Sequence, residues 1–237
     1  MGGDGWESSA EAWVESLGTA GDFGRQFVLD APMLARVRDG GFARMLDVGC
    51  GEGRFCRMTA GLVAERVGLD PTAALLGVAR GRDPEGRYVE GRAEALPFEA
   101  GAFDLVVSYL TLIDIPDIDV AIPEMARVLA PGGALLIANL NAFATAAAPE
   151  HRVTGPDGRD DLRVARYFEE RAEWAAWRGI RIVNHHRPMA RYMGALLAAG
   201  LQLVHFDEPA PQSGPPERVA RYREAPWFHL MEWRKPV

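Results

Sequence analysis

Residues 45–57 read MLDVGCGEGRFCR. The first four carry strand character, and the glycines that follow, Gly49, Gly51 and Gly53, fall at alternate positions. Without a Cβ, glycine lets the chain turn sharply and lets a ligand lie against bare backbone. The segment from Arg54 has helix-forming character, and the start of a helix presents unpaired N–H groups and a partial positive charge that suit a carboxylate or a phosphate. Strand, glycine turn and helix in succession mark a ligand site at the carboxyl end of a parallel strand. A second strand ends at Asp70, 17 residues beyond Gly53, where a carboxylate can bind both hydroxyls of a ribose. A nucleoside-containing cofactor is the expectation.

The chain's 237 residues suffice for one domain with an elaboration. With 48% hydrophobic and 25% charged residues it falls among ordinary globular proteins. A net charge of -7 gives no general attraction to phosphate backbones or anionic membranes, so neither nucleic acid nor membrane is an expected partner. The two cysteines, Cys50 and Cys56, form neither a disulfide framework nor metal-ligand spacing. No metal is expected, and a reducing cytoplasm fits. MGGDGWESS at the start carries no export or lipidation signal. The most apolar stretch, 134–148, is short and interrupted by Asn139 and Asn141, too little to span a bilayer.

Three apolar runs, Met45–Val48, Leu105–Val107 and Ala134–Ala138, are continuous rather than alternating, as strands covered on both faces are. Helical segments are expected over Arg54–Leu62, Thr72–Ala79 and Val120–Leu129, with shorter strands at Arg66–Leu69 and Tyr88–Val89. The order β-α-β-α-β-β-α-β is that of a doubly wound α/β core. Residues 1–40 read as a helical cover, 41–140 and 186–237 as the core, and 141–185 as a cap inserted after the fifth strand. Within the cap, RYFEERAEWAAWRG is expected to be helical and IRIVNHH a strand, with GPDGRDD at 155–161 as a turn. The tail is expected to hold a helix at Pro188–Ala199, a strand at Leu201–Phe206, a proline-rich loop at 209–216 and a last strand near Phe228–Arg234.

The dinucleotide fingerprint is G-x-G-x-x-G. Here the third glycine comes one residue early, which argues against a dinucleotide and leaves a nicotinamide-dependent oxidoreductase as a distant reading. The stretch resembles motif I of the class I S-adenosylmethionine-dependent methyltransferases, in their small-molecule, type 11-like branch. LDVGCGEGRF is similar to the methionine-binding loop, GLDP at 68–71 to the ribose-binding strand end, and GRAEALPF at 91–98 to the adenine loop. FDLVVSYLTL and EMARVLAPGGALLIAN resemble the fourth strand and the fifth strand with its helix. The resemblance covers about a hundred residues. It implies a Rossmann-like, mostly parallel sheet of seven strands and S-adenosylmethionine as cofactor. It further implies cofactor contacts from Asp47, Gly49, Cys50, Gly51, Gly53, Asp70, Pro71, Arg92, Ala93, Glu94 and Ser108. Arg92 stands where the family usually has Asp or Asn, so the usual partner of the adenine amino group is missing and Glu94 is its candidate substitute.

Methyl transfer rests mainly on positioning, so the motifs leave the acceptor nearly unmarked. SYLT at 108–111 lacks the Asn/Asp-Pro-Pro-aromatic pattern of exocyclic base methylation, and a small organic acceptor is expected, methylated on oxygen or nitrogen, or on carbon. Tyr109, Leu112, Tyr167, Phe168 and His185, with Trp174 and Trp177, are candidates for its pocket. His186 is the candidate general base or acceptor-orienting group, since an imidazole can take a proton at neutral pH; Asp114, His185 and His151 are rivals. A cofactor-binding protein without transfer activity is the second reading, and a homodimer is compatible with the sequence.

Overall fold

The computed structural model describes residues 3–147, 152–154 and 160–237. His151 and most of the segment expected as a turn at 155–161 lie outside them. Two N-terminal helices, α1 (Trp6–Leu17) and α2 (Asp30–Gly40), are joined by a loop and a π-helical turn at Arg25–Leu29 that runs into α2. Then come β1 (Arg44–Val48), α3 (Arg54–Met58), β2 (Glu65–Asp70), α4 (Ala73–Arg82), β3 (Arg87–Glu90), β4 (Phe103–Tyr109), α5 (Ile118–Val128) and β5 (Leu129–Leu140). The chain continues through α6 (Ala142–Ala146), β6 (Arg152–Thr154), β7 (Asp160–Leu162), β8 (Arg171–Trp177) and β9 (Ile180–His186). It closes with α7 (Met189–Ala198), β10 (Gln202–Asp207), α8 (Pro216–Arg223) and β11 (Phe228–Arg234).

Seven strands form one sheet in the order β10-β11-β5-β4-β1-β2-β3. β1 to β5 pair in parallel, and only β11 runs against its neighbours. Strand order reverses at β1, between β2 and β4, which is where open α/β sheets place their ligands. Alternation within β1 divides the core between the two faces. Leu46 and Val48 pack with Ile118, Ile122 and Leu196 under α5 and α7; Met45 packs with Met33, Phe55 and Leu76 under α2, α3 and α4. Coverage on both faces explains why these strands read as continuous apolar runs.

An expected helix is a strand. RYFEERAEWAAWRG is not a helix: its second half is β8, paired antiparallel with β9 from Arg171↔His186 to Trp177↔Ile180. The link is a two-residue turn, Arg178 at φ 46° and Gly179 at φ 81°, the doubly left-handed geometry that matches the twist of a hairpin. Tertiary contacts select the strand over the helix propensity of Ala, Glu and Arg. Val183 N–H donates to Asp4 O and His185 N–H to Ile113 O, while Ser9 Oγ exchanges hydrogen bonds with both backbone groups of Arg181. The hairpin thus holds α1 over the carboxyl ends of the strands. α3 is also shorter than expected, ending at Met58, where the Thr59 hydroxyl donates to Phe55 O and Cys56 O. Beyond the proline-rich loop, α8 is an element the sequence reading did not anticipate.

Candidate active site

Each glycine of the 49–53 loop has positive φ, at 75°, 54° and 75°, and each answers a different constraint. A Cβ on Gly49 would sit 2.1 Å from Thr111 Cγ2, and one on Gly53 2.6 Å from the Tyr88 hydroxyl. On Gly51 the nearest atom would be Leu75 Cδ1 at 4.0 Å. The outer two glycines therefore permit close packing, and the middle one keeps space open. Gly49 and Cys50 donate to Leu69 O at 2.7 and 3.0 Å. Gly51 N–H donates to Asp70 Oδ2 and Thr72 N–H to Asp70 Oδ1, both at 2.9 Å. Asp70 fastens the loop to the end of β2, and burial raises its pKa against the pull of those two donors.

The loop forms one wall of a cavity of about 510 Å³ at the carboxyl ends of β1, β2 and β4. Of the residues expected to contact cofactor, Asp47, Gly49, Cys50, Gly51, Asp70, Pro71, Arg92, Ala93 and Glu94 all line it. Arg92 Nε lies 3.5 Å from Glu94 Oε2. Gly53 sits behind the loop against Tyr88, and Ser108 is fully buried in β4; neither lines the cavity. Asp47, at the end of β1, accepts a long hydrogen bond from Cys56 Sγ at 3.7 Å, while its Oδ1 is buried with no partner among the described residues. Burial, reinforced by the charge of Asp70, pushes its pKa up to about 7.

Of the expected pocket residues, Tyr109 lines the cavity. Leu112 does not, being wholly buried in the core. Phe168 is 87% exposed, outside the cavity, and pairs edge-on with Tyr167. His185 lines an adjoining, more open hollow together with Asp114 and Arg92. His186 is buried away from the cavity with both ring nitrogens engaged, Nδ1 with Thr145 Oγ1 at 2.7 Å and Nε2 with Tyr167 O at 2.9 Å. Asp114 lines both spaces and accepts from Asn184 Nδ2 at 2.6 Å; burial raises its pKa well above the usual carboxylate value.

The other half of the cavity is walled by residues remote in sequence. Trp6 and Trp13 of α1 meet edge-on at 5.0 Å, and Trp13 meets Trp177 of β8 at 6.4 Å. Tyr222 of α8 and Phe228 of β11 complete the apolar lining. Arg187, buried, donates to Leu112 O, Ile115 O and Pro116 O and so fixes the loop that carries Asp114. That loop starts at Leu110, a non-glycine residue at φ 57° whose N–H donates to Ala138 O. The sequence reading missed Trp6, Arg25, Asn184, Arg187 and Tyr222. The one local signal was tryptophan in an amphipathic N-terminal helix.

A family model described as a methyltransferase domain matches residues 46–137. A malonyl-[acyl-carrier protein] O-methyltransferase of Salmonella typhimurium is 30% identical over 172 residues, 70% of this chain and 67% of that protein. The chain belongs to the S-adenosylmethionine-dependent methyltransferases. This methyltransferase is also 35% identical to a ubiquinone biosynthesis O-methyltransferase of Chelativorans over 126 residues, 52% of this chain and 47% of the relative. Several other curated relatives are matched over less than half of their own length. Among solved structures, an S-adenosylmethionine-dependent methyltransferase from Mesorhizobium loti superposes with a TM-score of 0.78 at 26% identity, covering 92% of this chain and all of that one.

The methyltransferase's residues fit the family's cofactor. Open space beside Gly51 leaves a bare backbone cradle, and Asp47 Oδ1, unpartnered among the described residues, would suit an ammonium group. Each Asp70 oxygen accepts one backbone hydrogen bond and keeps a second lone pair for a ribose hydroxyl. Among the described residues no helix is long and apolar enough to cross a membrane, and no cluster of metal-ligating side chains occurs.

Proposed function

We propose that the protein transfers a methyl group to an oxygen of a small organic acceptor held between α1, the β8–β9 hairpin and α8. The observation that carries this reading is the continuity of one cavity. Its inner half is walled by the glycine loop, Asp70 and Arg92–Glu94, and its outer half by Trp6, Trp13, Trp177, Tyr222 and Phe228. The relatives named as O-methyltransferases favour oxygen over nitrogen or carbon.

Bound S-adenosylmethionine supplies an activated methyl on a positive sulfur. The chain's own residues do the rest. Asp47, Gly51 and Asp70 hold the cofactor at the inner end. The tryptophans exclude water, and a well-oriented approach is worth roughly 7 to 11 kcal/mol, against roughly 3 to 5 kcal/mol for a general base. Asp114, with one oxygen tied to Asn184, is assigned to orienting the acceptor oxygen, and its carboxylate, raised in pKa by burial, takes the proton that a hydroxyl acceptor loses as the O–CH3 bond forms and the S–CH3 bond breaks; a carboxylate acceptor has no proton to lose. His186 has no part in this scheme, because it does not reach the cavity.

The test is calorimetric titration with S-adenosylhomocysteine and with NAD, followed by an acceptor screen that detects S-adenosylhomocysteine release. Tight binding of the former, no binding of NAD and turnover with a small hydroxyl- or carboxyl-bearing compound are expected. Binding without turnover on any such compound would favour a non-catalytic role.

A further inference from the structure

The outer half of the cavity holds a cation built into its wall. Arg25, in the π-helical turn before α2, lines the cavity with a side chain only 12% exposed. Its guanidinium lies 5.2 Å from the Trp13 ring centroid and 5.9 Å from that of Tyr109. Aromatic faces tolerate guanidinium well, because it is weakly hydrated and planar. Two rings therefore hold Arg25 in place whether or not an anion is paired with it.

Its anion is another matter. Arg25 Nη1 donates to Asp22 Oδ2 at 2.5 Å, yet the Asp22 side chain is 45% exposed. An ion pair with one partner open to solvent contributes little net stability and exchanges readily. Among the described residues, no hydrogen bond takes Arg25 Nε or Nη2. Two of the guanidinium's nitrogens are thus free to grip a planar carboxylate, the geometry that arginine matches bidentately.

Three arginines and three carboxylates share this half of the cavity. Arg178, in the hairpin turn, and Arg218, stacked 4.6 Å over Phe23, also line the cavity, and neither has a carboxylate partner among the described residues. The acids of this half are engaged: Asp4 Oδ1 accepts from Trp6 N–H, Asp22 from Arg25 and Asp114 from Asn184.

We infer that Arg25 is the anchor for a carboxylate on the acceptor, which takes the free Nε and Nη2 of the guanidinium and competes with Asp22 for its charge. With the tryptophans beside it, the substrate class is a small carboxylic acid with an aromatic or apolar body. This inference rests on the methyltransferase reading above, and its test separates the two.

Protein saturated with S-adenosylhomocysteine is titrated with matched pairs, benzoate against benzamide and phenylacetate against phenylacetamide, followed by calorimetry and by tryptophan fluorescence, to which Trp6, Trp13 and Trp177 of the cavity wall contribute. Each acid is expected to bind at least about tenfold more tightly than its amide. Arg25→Leu should erase that preference, and Arg25→Lys should retain part of it, since the charge stays and the fork is lost. Asp22→Asn removes the competing carboxylate and should tighten the acids severalfold. S-adenosylhomocysteine affinity should stay within about threefold in all three variants. Equal affinity for acid and amide, binding of neither at millimolar concentration, a preference that survives Arg25→Leu, or weaker acid binding by Asp22→Asn would each overturn the inference. Failure of S-adenosylhomocysteine to bind the unaltered protein would instead overturn the cofactor reading.

Discussion

Tyr109 donates a hydrogen bond from its phenol to Asp30 Oδ1 at 2.8 Å, tying the end of β4 to α2. The same carboxylate takes Arg54 Nη1 at 2.9 Å and Nη2 at 2.5 Å, and both charged side chains are nearly buried. The two ends of this network are unequal. Tyr109→Phe removes one neutral donor and should cost about 1 kcal/mol. Asp30→Asn leaves Arg54 without a counter-charge and should cost about 3 to 5 kcal/mol. Urea denaturation of both variants checks the ratio; equal losses would mean that the Asp30–Arg54 pair is not formed in solution.

Asp70 carries both the loop and the proposed ribose contact. Asp70→Ala should weaken S-adenosylhomocysteine binding by at least about a hundredfold, or 2.7 kcal/mol. Asp70→Asn keeps one carbonyl acceptor and should lose less. Calorimetry is the measurement, and an unchanged affinity in Asp70→Ala would remove Asp70 from the site.

For Asp47, a pKa raised from 3.8 to about 7 makes the folded state bind a proton that the unfolded state has released. Stability is then full below about pH 4 and falls as pH rises to about 7. Asp70 and Asp114, also raised by burial, act in the same direction. A bound ammonium favours the ionised carboxylate, so S-adenosylhomocysteine affinity should climb over that same range. Asp47→Asn should flatten both trends. Denaturation and calorimetry at successive pH values test this, and slopes untouched by the substitution would refute it.

His186→Ala should lower stability by about 1 to 3 kcal/mol, because Thr145 Oγ1 and Tyr167 O lose a buried partner. Single-turnover methyl transfer by the folded variant should remain within about threefold of the unaltered protein, since a missing general base would cost about 10²-fold or more. A loss of that size would restore His186 to the chemistry.

The sheet and the glycine-loop wall of the cavity were legible because their determinants are local. A glycine loop, a strand ending in Asp70 and double-sided apolar runs each declare themselves within a few residues. Leu112 and Phe168 misled because residue type does not say which way a side chain faces: one is sealed in the core, the other stands in solvent. His186 misled for a related reason, since its place beside Pro188 says nothing of Thr145 and Tyr167, which occupy its nitrogens. Residues 171–177 alternate between half-buried and exposed only once β9 lies beside them, and their composition favours a helix. Arg25 was invisible because its setting comes from Trp13 and Tyr109, 12 residues before it and 84 after it.

The pinning of α1 by β9 also sets an order of assembly. Ser9 and Arg181 are 172 residues apart, and Arg36 and Glu232 are 196 apart, whereas β1 finds β2 within about twenty. Closing long segments is slow, and contacts of high sequence separation are made late. During refolding, the inner half of the cavity should therefore become competent for S-adenosylhomocysteine before the tryptophans reach their final packing. The proposed acceptor chamber is then the last part of the molecule to exist, and a folding chain would hold the proposed seat of the methyl donor before it had any means of choosing who receives from it.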